Sequence, residues 1–242
     1  MNQDRTTGTP RRLPVQKRSL ERFERLLDAC AELLDEVGYS ALTTKEVARR
    51  AGVPIGTLYQ FFSDREGLVG ALAARNLESF LGRVTERLER EAPDGVAGMV
   101  EVTVDEFVAM RRTITGFGVV DFGAVGHDHT LEPGRDNNTA VAGQLRALTA
   151  SLTGVEDDAE LELALRVALE CADGVLQLAF RSDPQGDPQL IAECKRVLNC
   201  YLSDRLRIVT GRQQGLQRMD LTRQTSTAPS ADMAAEHRNS EL

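Results

Sequence analysis

Residues 43–62 read TTKEVARRAGVPIGTLYQFF, and this stretch decides the fold that we predict for the chain. Thr43 can accept a hydrogen bond from the amide of Glu46 while the Glu46 side chain reaches back, which is the capping box that begins a helix. Gly52 suits the left-handed backbone of a tight turn, and the fixed φ of Pro54 suits the first turn of a second short helix. Two short helices joined by such a turn form a helix-turn-helix.

The second of these helices is predicted to read DNA. Its outward side chains are short at the N-terminal end, where the helix must approach base edges closely, and can form hydrogen bonds further along. A helix of this kind can enter the major groove of a DNA duplex. The outward residues are Ile55, Gly56, Thr57, Tyr59 and Gln60.

Apolar residues at three- and four-residue spacing predict helices over most of the remaining chain. The first begins near residue 20, with Ser19 as its N-cap, and ends at Gly38. Ser63 and Glu66 form a second capping box, which opens a long helix that ends near residue 91. Further helices are predicted over about residues 96–114, 138–152, 158–181 and 188–209, with short or broken helix over residues 116–123.

The predicted fold class is all-α, with an N-terminal three-helix helix-turn-helix domain followed by a larger helical domain. The chain of 242 residues is 41% hydrophobic and 27% charged, which is typical of a globular protein. The predicted divisions are a flexible basic arm at 1–17, the helix-turn-helix domain at 18–64, a second helical domain at 65–210, and a disordered tail at 211–242.

Two features of the sequence bear on where the protein works. It contains neither the apolar run of about 20 residues that a membrane span needs nor the apolar core of a secretory signal, so we expect no membrane partner and a cytoplasmic location. The net charge is −8, but residues 1–65 hold 11 lysines and arginines against 9 acidic residues, leaving −10 for the remainder. This uneven charge permits a DNA-binding face without proving it.

The segment LTTKEVARRAGVPIGTLYQFFSDREGL resembles the N-terminal domain of the tetracycline-repressor-like (TetR) family, and the resemblance extends over about residues 18–72. It implies an all-helical homodimer that binds palindromic operators in double-stranded DNA. It also implies that the protein is usually a repressor, released by a small-molecule effector that the C-terminal domain holds. We expect no cofactor.

The matched positions imply how the first domain contacts DNA. Thr43 and Tyr59 resemble phosphate contacts, and Arg65 resembles a clamp on the DNA backbone at a helix N-terminus. Gly56 and Thr57 resemble residues that face the groove. The complete set of predicted DNA-binding residues is Thr43, Thr44, Pro54, Ile55, Gly56, Thr57, Tyr59, Gln60 and Arg65.

Three further features bear on DNA binding, and one of them departs from the family pattern. Many relatives have Ser-Lys where this chain has Pro54-Ile55, and Ile55 can instead touch a thymine methyl group. Gln60 can read adenine through its amide. The basic side chains of the arm either enter an adjacent minor groove or form a solvated tail; they are Arg11, Arg12, Lys17 and Arg18.

The resemblance implies that the second domain, residues 65–210, is a helical ligand-binding (effector-binding) and dimerisation domain. The last two helices have broad apolar faces that we expect to form a four-helix interface with a second copy, through Leu176, Val197, Leu198, Tyr201 and Leu202. An effector pocket is predicted among Phe107, Met110, Phe117 and Phe122, with Glu170, Asp173 and Gln177 as its polar groups. The alternative is that these aromatic residues are core and that the polar stripe is a solvated face.

No catalytic or metal site is predicted. The sequence lacks a nucleophile elbow, a phosphate loop and paired catalytic carboxylates, so we do not expect an enzyme. His127 and His129 lie near carboxylates, but no second cluster at metal-ligand spacing accompanies them. The cysteines show no C-x-x-C spacing and are predicted to be small buried hydrophobic residues; they are Cys30, Cys171, Cys194 and Cys200.

These observations together predict a sequence-specific DNA-binding transcriptional regulator. The favoured form is a repressor that a small molecule releases from a palindromic operator. The alternative is a DNA-binding dimer with no small-molecule effector, which is either architectural or controlled by another protein. A cavity and a specific palindrome would distinguish the first form from the second.

Overall fold

The computed structural model describes residues 17–120, 143, 145–146, 148–150 and 158–206. Over these residues the chain is helical and contains no β-strand, which confirms the all-α prediction. The helices are α1 (Lys17–Ala41), α2 (Thr44–Arg50), α3 (Ile55–Phe61), α4 (Arg65–Glu91), α5 (Gly95–Thr113), α6 (within 143–150), α7 (Ala159–Phe180) and α8 (188–206). None of the helices in this described part is long and apolar enough to cross a membrane.

Local capping signals account for most of the helix starts. The Thr43 hydroxyl accepts a hydrogen bond of 3.2 Å from the Glu46 amide and begins α2, as the sequence predicts. The Glu46 side chain does not reach back to complete the capping box, because its carboxylate accepts from Arg49 instead. The start of α4 differs from the prediction, because Asp64 rather than Ser63 is the N-cap and accepts from the Gly67 amide at 2.7 Å. A carboxylate is a strong acceptor at the positive end of a helix. The Ser63 hydroxyl does not cap the helix but donates to the Asp64 carboxylate.

Two predicted boundaries in the first helix are also wrong. Ser19 lies inside α1, which is already helical at Lys17. Gly38 does not end the helix: it adopts φ 72° and produces a kink, after which the chain continues helically to Ala41. Glycine permits this left-handed geometry without steric cost, so it can redirect a helix as well as stop it.

The described side chains pack into three apolar clusters. The first joins α1, α2, α3 and the first half of α4; the second joins α5, α7 and α8; the third joins the second half of α4, α5 and Phe117. The boundary predicted between residues 64 and 65 falls at the start of α4. However, α4 supplies Leu72 to the first cluster and Val84 to the third. This single helix, about 40 Å long, therefore packs in two apolar clusters.

The chain after α5 forms turns over residues 114–120, which we call the docking segment. The Gly116 amide donates to Asp35 Oδ2 on α1 at 2.8 Å, and the buried Asn76 amide nitrogen on α4 donates to the Val120 carbonyl at 2.8 Å. Val120 lies in the first cluster, whereas Phe117 lies in the third. The prediction of short or broken helix is therefore wrong for residues 116–120, and residues 121–123 lie outside the described part.

Other predictions also fall on residues that the structure does not describe. They concern the arm up to residue 16, the tail from residue 211, and the remainder of the helix predicted over 138–152. Phe122, His127 and His129 belong to the same group. The described residues contain no cluster of three or more histidine, cysteine or acidic side chains placed to hold a metal ion.

Gly116 tests how tightly the docking segment is held. A Cβ atom there would lie 2.8 Å from the Ala31 Cα atom, and the backbone has φ +77°, which side chains rarely adopt. We expect Gly116→Ala to lower the free energy of unfolding by about 1–3 kcal/mol, measured by urea denaturation. The matched control is Gly82→Ala on α4, where no atom lies within 4 Å of the added Cβ. Equal stability of the two variants would contradict the tight contact.

Candidate DNA-binding surface

The turn between α2 and α3 is held by buried side chains and a glycine. Val47 on α2 and Leu58 on α3 are fully buried against each other's helices, and Ala48 is nearly so. Gly52 adopts φ 62°, which lets the Val53 amide donate to the Ala48 carbonyl at 3.0 Å. The helix-turn-helix predicted from residues 43–62 is therefore present, with α3 projecting from it.

Helix α1 supports this pair from behind. The Phe23 ring lies 5.6 Å from the Phe61 ring and 5.2 Å from the Phe62 ring, measured between centroids. Arg50 on α2 donates to both carboxylate oxygens of Glu36 on α1 at 2.7 Å, and this hydrogen bonding lowers the pKa of Glu36. Apolar and polar contacts thus fix α2 and α3 relative to α1.

The predicted recognition residues form one outward surface. Ile55 is 41% exposed and Tyr59 is 45% exposed, so both side chains point outward from α3. Gly56 has no atom within 4 Å of the position of a Cβ, so its backbone is open to approach. Thr43, Pro54 and Gln60 are exposed, and Thr44 and Thr57 are half-buried. The structure therefore brings together eight of the nine predicted DNA-binding residues.

A hydroxyl pair joins the two helices at this surface. The oxygen atoms of Thr44 and Tyr59 lie 3.1 Å apart, at hydrogen-bond distance. The contact holds the Tyr59 ring across the start of α2 and restricts its rotation. Both hydroxyls are of the type that donates to DNA phosphate oxygens, and they lie side by side.

Arg65 has partners other than the predicted DNA phosphate. Its guanidinium donates to the carbonyls of Tyr39 at 3.3 Å and Leu42 at 3.5 Å, and it lies 4.3 Å from the centroid of the Tyr39 ring. The same group contacts Glu66 at 3.3 Å. Arg65 therefore holds the loop between α1 and α2, where a planar cation suits carbonyls and a ring face together, and its predicted phosphate contact stays a prediction.

Lys45 was missed by the sequence reasoning. It is exposed in the first turn of α2, next to Thr44 and two residues from Thr43. A lysine that directly follows two predicted DNA-binding threonines is itself suited to a phosphate, because it carries a flexible positive charge. The signal that could have identified it is its position directly after Thr43 and Thr44.

Comparisons with known proteins agree with this geometry. Residues 26–72 match the family of bacterial regulatory proteins called the tetR family, and residues 94–206 match the tetracyclin repressor-like C-terminal domain. A crystal structure of a TetR-family transcriptional regulator from Streptomyces coelicolor is 43% identical, with a TM-score of 0.68, over 76% of this chain and 98% of that one. This chain belongs to the TetR family.

More distant relatives of this TetR-family regulator are similar over shorter stretches. The HTH-type transcriptional regulator YvdT of Bacillus subtilis is 23% identical over 49% of this chain and 60% of its own length. YvkB of the same organism is 41% identical over 27% of this chain and 34% of its own length. The chain thus matches less than two thirds of either protein. The structure of RolR in complex with resorcinol shares the fold, with a TM-score of 0.52 at 21% identity.

The predicted effector residues of the TetR-family regulator fall into two groups. Phe107 and Phe117 pack edge to face with centroids 5.5 Å apart, and Met110 is buried in the same cluster. The polar residues lie on α7 instead, where Glu170 is exposed and Asp173 accepts a hydrogen bond from Gln177 at 2.8 Å. The aromatic residues are therefore brought together, and the described contacts do not join the polar residues to them.

The predicted dimer-interface residues of the TetR-family regulator are also divided. Leu176, Leu198 and Leu202 are buried in the second cluster of their own protomer, whereas Val197 is 45% exposed and Tyr201 is half-buried. The three leucines are therefore corrected to protomer core. The exposed apolar side chains of α7 and α8 are Leu163, Val167, Leu178 and Val197.

Two of the four cysteines in the TetR-family regulator contradict the prediction that all are buried. Cys171 on α7 and Cys200 on α8 are exposed, whereas Cys30 and Cys194 are buried. Burial raises the pKa of Cys30 to about 12 and that of Cys194 to about 11. Both α7 and α8 are apolar on more than one face, so periodicity alone did not identify the outward one.

Arg65 gives a test of its role in holding the loop between α1 and α2. We expect Arg65→Ala to lower the free energy of unfolding by about 1–2 kcal/mol, because the loop carbonyls of Tyr39 and Leu42 lose a cationic donor. Arg49→Ala is the matched control, since Arg49 is exposed and pairs only with Glu46 in the contacts described. Urea denaturation measures both. If the two variants are equally stable, the loop does not depend on Arg65.

Proposed function

We propose that this TetR-family protein is a homodimeric repressor that binds a palindromic operator in the cytoplasm and is released by a small molecule. The observation that carries the proposal is the outward surface of α3. Buried side chains hold this helix against α2, and the space beside Gly56 is open. Such a surface has the shape and chemistry of a major-groove reader. Its relatives are transcriptional regulators, and we propose no catalytic activity.

The proposed DNA contacts separate into two classes. Thr43, Thr44, Lys45 and Tyr59 hold phosphates and set the position of the protein on the duplex. Gly56, Thr57 and Gln60 face base edges, and exposed Ile55 contacts a thymine methyl group. Contacts of the first class supply affinity that depends on salt, and contacts of the second class supply sequence preference.

Two copies are needed for a palindrome. A second copy that covers the apolar side chains of α7 and α8 would place two α3 helices about one DNA turn apart, roughly 34 Å, or modestly further. Loss of one half-site then costs the avidity of the pair, so a change of a few ångströms in the spacing suffices for release.

The docking segment connects the proposed effector site to the DNA-binding domain, and so to the spacing of the two α3 helices. Phe117 lies in the third apolar cluster, and the amide of its neighbour Gly116 donates a hydrogen bond to Asp35 on α1. A molecule that entered beside Phe107 and Phe117 would displace residues in direct contact with the DNA-binding domain. Because Phe117 and Met110 are fully buried, we propose that an apolar effector binds here by opening this cluster.

Gly56 tests the recognition surface. We expect Gly56→Leu to weaken binding to the selected operator by about 10- to 100-fold, because the side chain occupies the space that base edges need. Selection of random duplexes on the purified protein supplies the operator, and fluorescence anisotropy measures the affinity. Gly82→Leu is the matched control on the exposed face of α4. Equal affinities for the two variants would remove α3 from the proposed surface.

Asp35 tests the route from effector to DNA. A panel of apolar metabolites is screened for release of the operator, and Asp35→Ala is then compared with the wild type. We expect about 3- to 30-fold more compound to be needed for release, with a smaller change in operator affinity without compound, because coupling energy between the two sites is lost. Asp28→Ala is the control, because Asp28 also lies on α1 but pairs with Arg75 rather than with the docking segment. Arg75 remains paired with Glu24 in this variant. If no compound releases a specific palindrome, the alternative without a small-molecule effector is favoured.

A further inference from the structure

We propose that the N-terminal half of α1 is a further DNA-binding element, in which Arg18, Arg22 and Arg25 hold phosphates beside the base pairs that α3 reads. The inference rests on the DNA binding of the proposed function and adds a surface to it. The partner of this surface is the phosphate backbone of double-stranded DNA.

The three arginines form one face of α1, which we call the arginine stripe. They are separated by four and three residues, the spacing that places side chains on the same face of a helix. All three are exposed. The stripe carries three positive charges over about 10 Å of helix, and each DNA strand carries one negative charge per about 3.4 Å of axis. The stripe is therefore long enough and charged enough to follow one strand.

No carboxylate neutralises the arginine stripe within the part of the chain that the structure describes. The nearby acids Glu24 and Asp28 form ion pairs with Arg75 on α4. Glu21 is exposed beside the stripe and has no ion pair with it among the described contacts. The three guanidinium groups thus remain available to an anionic partner.

The placement of these charges is unfavourable for the helix itself. Arg18 lies in the first turn of α1, which has no acidic residue, and the N-terminal end of a helix carries a partial positive charge. Arg22 is four residues from Arg18 and three from Arg25, so like charges also repel along the stripe. A phosphate bound at this end would relieve both repulsions.

The same face of α1 continues toward the helix-turn-helix. Beyond the arginine stripe it runs through Ala29, Glu32 and Glu36 at the same spacing of three or four residues. Ala29 is buried, and the two glutamates pair with Arg50 at the end of α2. Helix α2 therefore covers the second half of this face and leaves the arginine stripe uncovered.

An aromatic contact places the N-terminal half of α1 beside the recognition helix. Phe23 lies between two members of the arginine stripe in sequence, and its ring contacts those of Phe61 and Phe62 at the end of α3. The stripe thus adjoins both helices of the helix-turn-helix. Long arginine side chains at this position can reach the backbone of a duplex whose groove α3 enters.

The first test measures how DNA affinity depends on salt. The full-length variant carries Arg18→Gln, Arg22→Gln and Arg25→Gln, and fluorescence anisotropy compares it with the wild type on the selected operator and on a random duplex. Two copies would lose up to about six phosphate contacts, so we expect the slope of log affinity against log salt to fall by about 3–5 and the affinity by about 10- to 1000-fold. Both duplexes should be affected equally, because phosphate contacts carry no sequence information.

Two control variants separate the arginine stripe from net charge. The first carries Arg90→Gln, Arg181→Gln and Arg196→Gln, which removes three exposed arginines outside the DNA-binding domain. It should keep the wild-type slope, and an equal fall in both variants would overturn the proposal. The second replaces the three stripe residues by lysine and should keep most of the slope; loss of the slope there would contradict a contact made by charge.

The second test locates the phosphates. Ethylation interference on the operator identifies the phosphates whose modification blocks binding. We expect the wild type to require phosphates beside the base pairs that α3 reads, and the stripe variant to lose that requirement. An identical set of required phosphates for the two proteins would overturn the proposal.

Stability and specificity distinguish the remaining outcomes. The urea midpoint of the stripe variant should be equal to or higher than that of the wild type, because repulsion is removed; a lower midpoint would show that the arginines hold the fold instead. A specific palindrome bound with an unchanged salt slope contradicts the stripe alone. If the wild type prefers no palindrome, the proposed repressor fails, whereas a reduced slope on random DNA would still support the stripe.

Discussion

The arrangement of the two ends of the molecule depends on the docking segment and its two hydrogen bonds to α1 and α4. Residues 114–120 enter the junction between the first and third apolar clusters, and the bonds from the Gly116 amide and to the Val120 carbonyl satisfy backbone groups there. Without these bonds the turns would bury unpaired polar groups, which is costly. The orientation of the helix-turn-helix is therefore set partly by a loop that follows α5.

Basic residues have two different roles around the proposed DNA-binding surface. Arg50 and Arg65 are bound within the domain and hold α1, α2 and their loop together. Lys45 and the side chains of α3 remain outward. This division explains how a chain with a net charge of −8 presents a surface suited to DNA, since several acids on α1 are paired with arginines behind that surface.

Sequence reasoning succeeded where a signal is local. The cap at Thr43 and the turn at Gly52 depend on neighbours within a few residues, so their chemistry is visible in the sequence. It failed where the deciding contact is distant in the chain: Arg65 bonds to carbonyls more than twenty residues away, and Gly116 meets Ala31. On α7 and α8, both faces are apolar, so only packing reveals that Leu198 is core and Leu163 is not.

The sharing of α4 between clusters has a consequence for engineering hybrid regulators. Exchanging DNA-binding halves between relatives at the start of α4 would leave the docking segment of one parent facing α1 of the other. A fusion of this kind inherits the close Gly116 to Ala31 approach only if both parents have matching surfaces there. The unit that can be exchanged is therefore discontinuous in sequence, because residues 17–76 must be transferred together with residues 114–120. A hybrid with a single fusion point separates these two contacting segments.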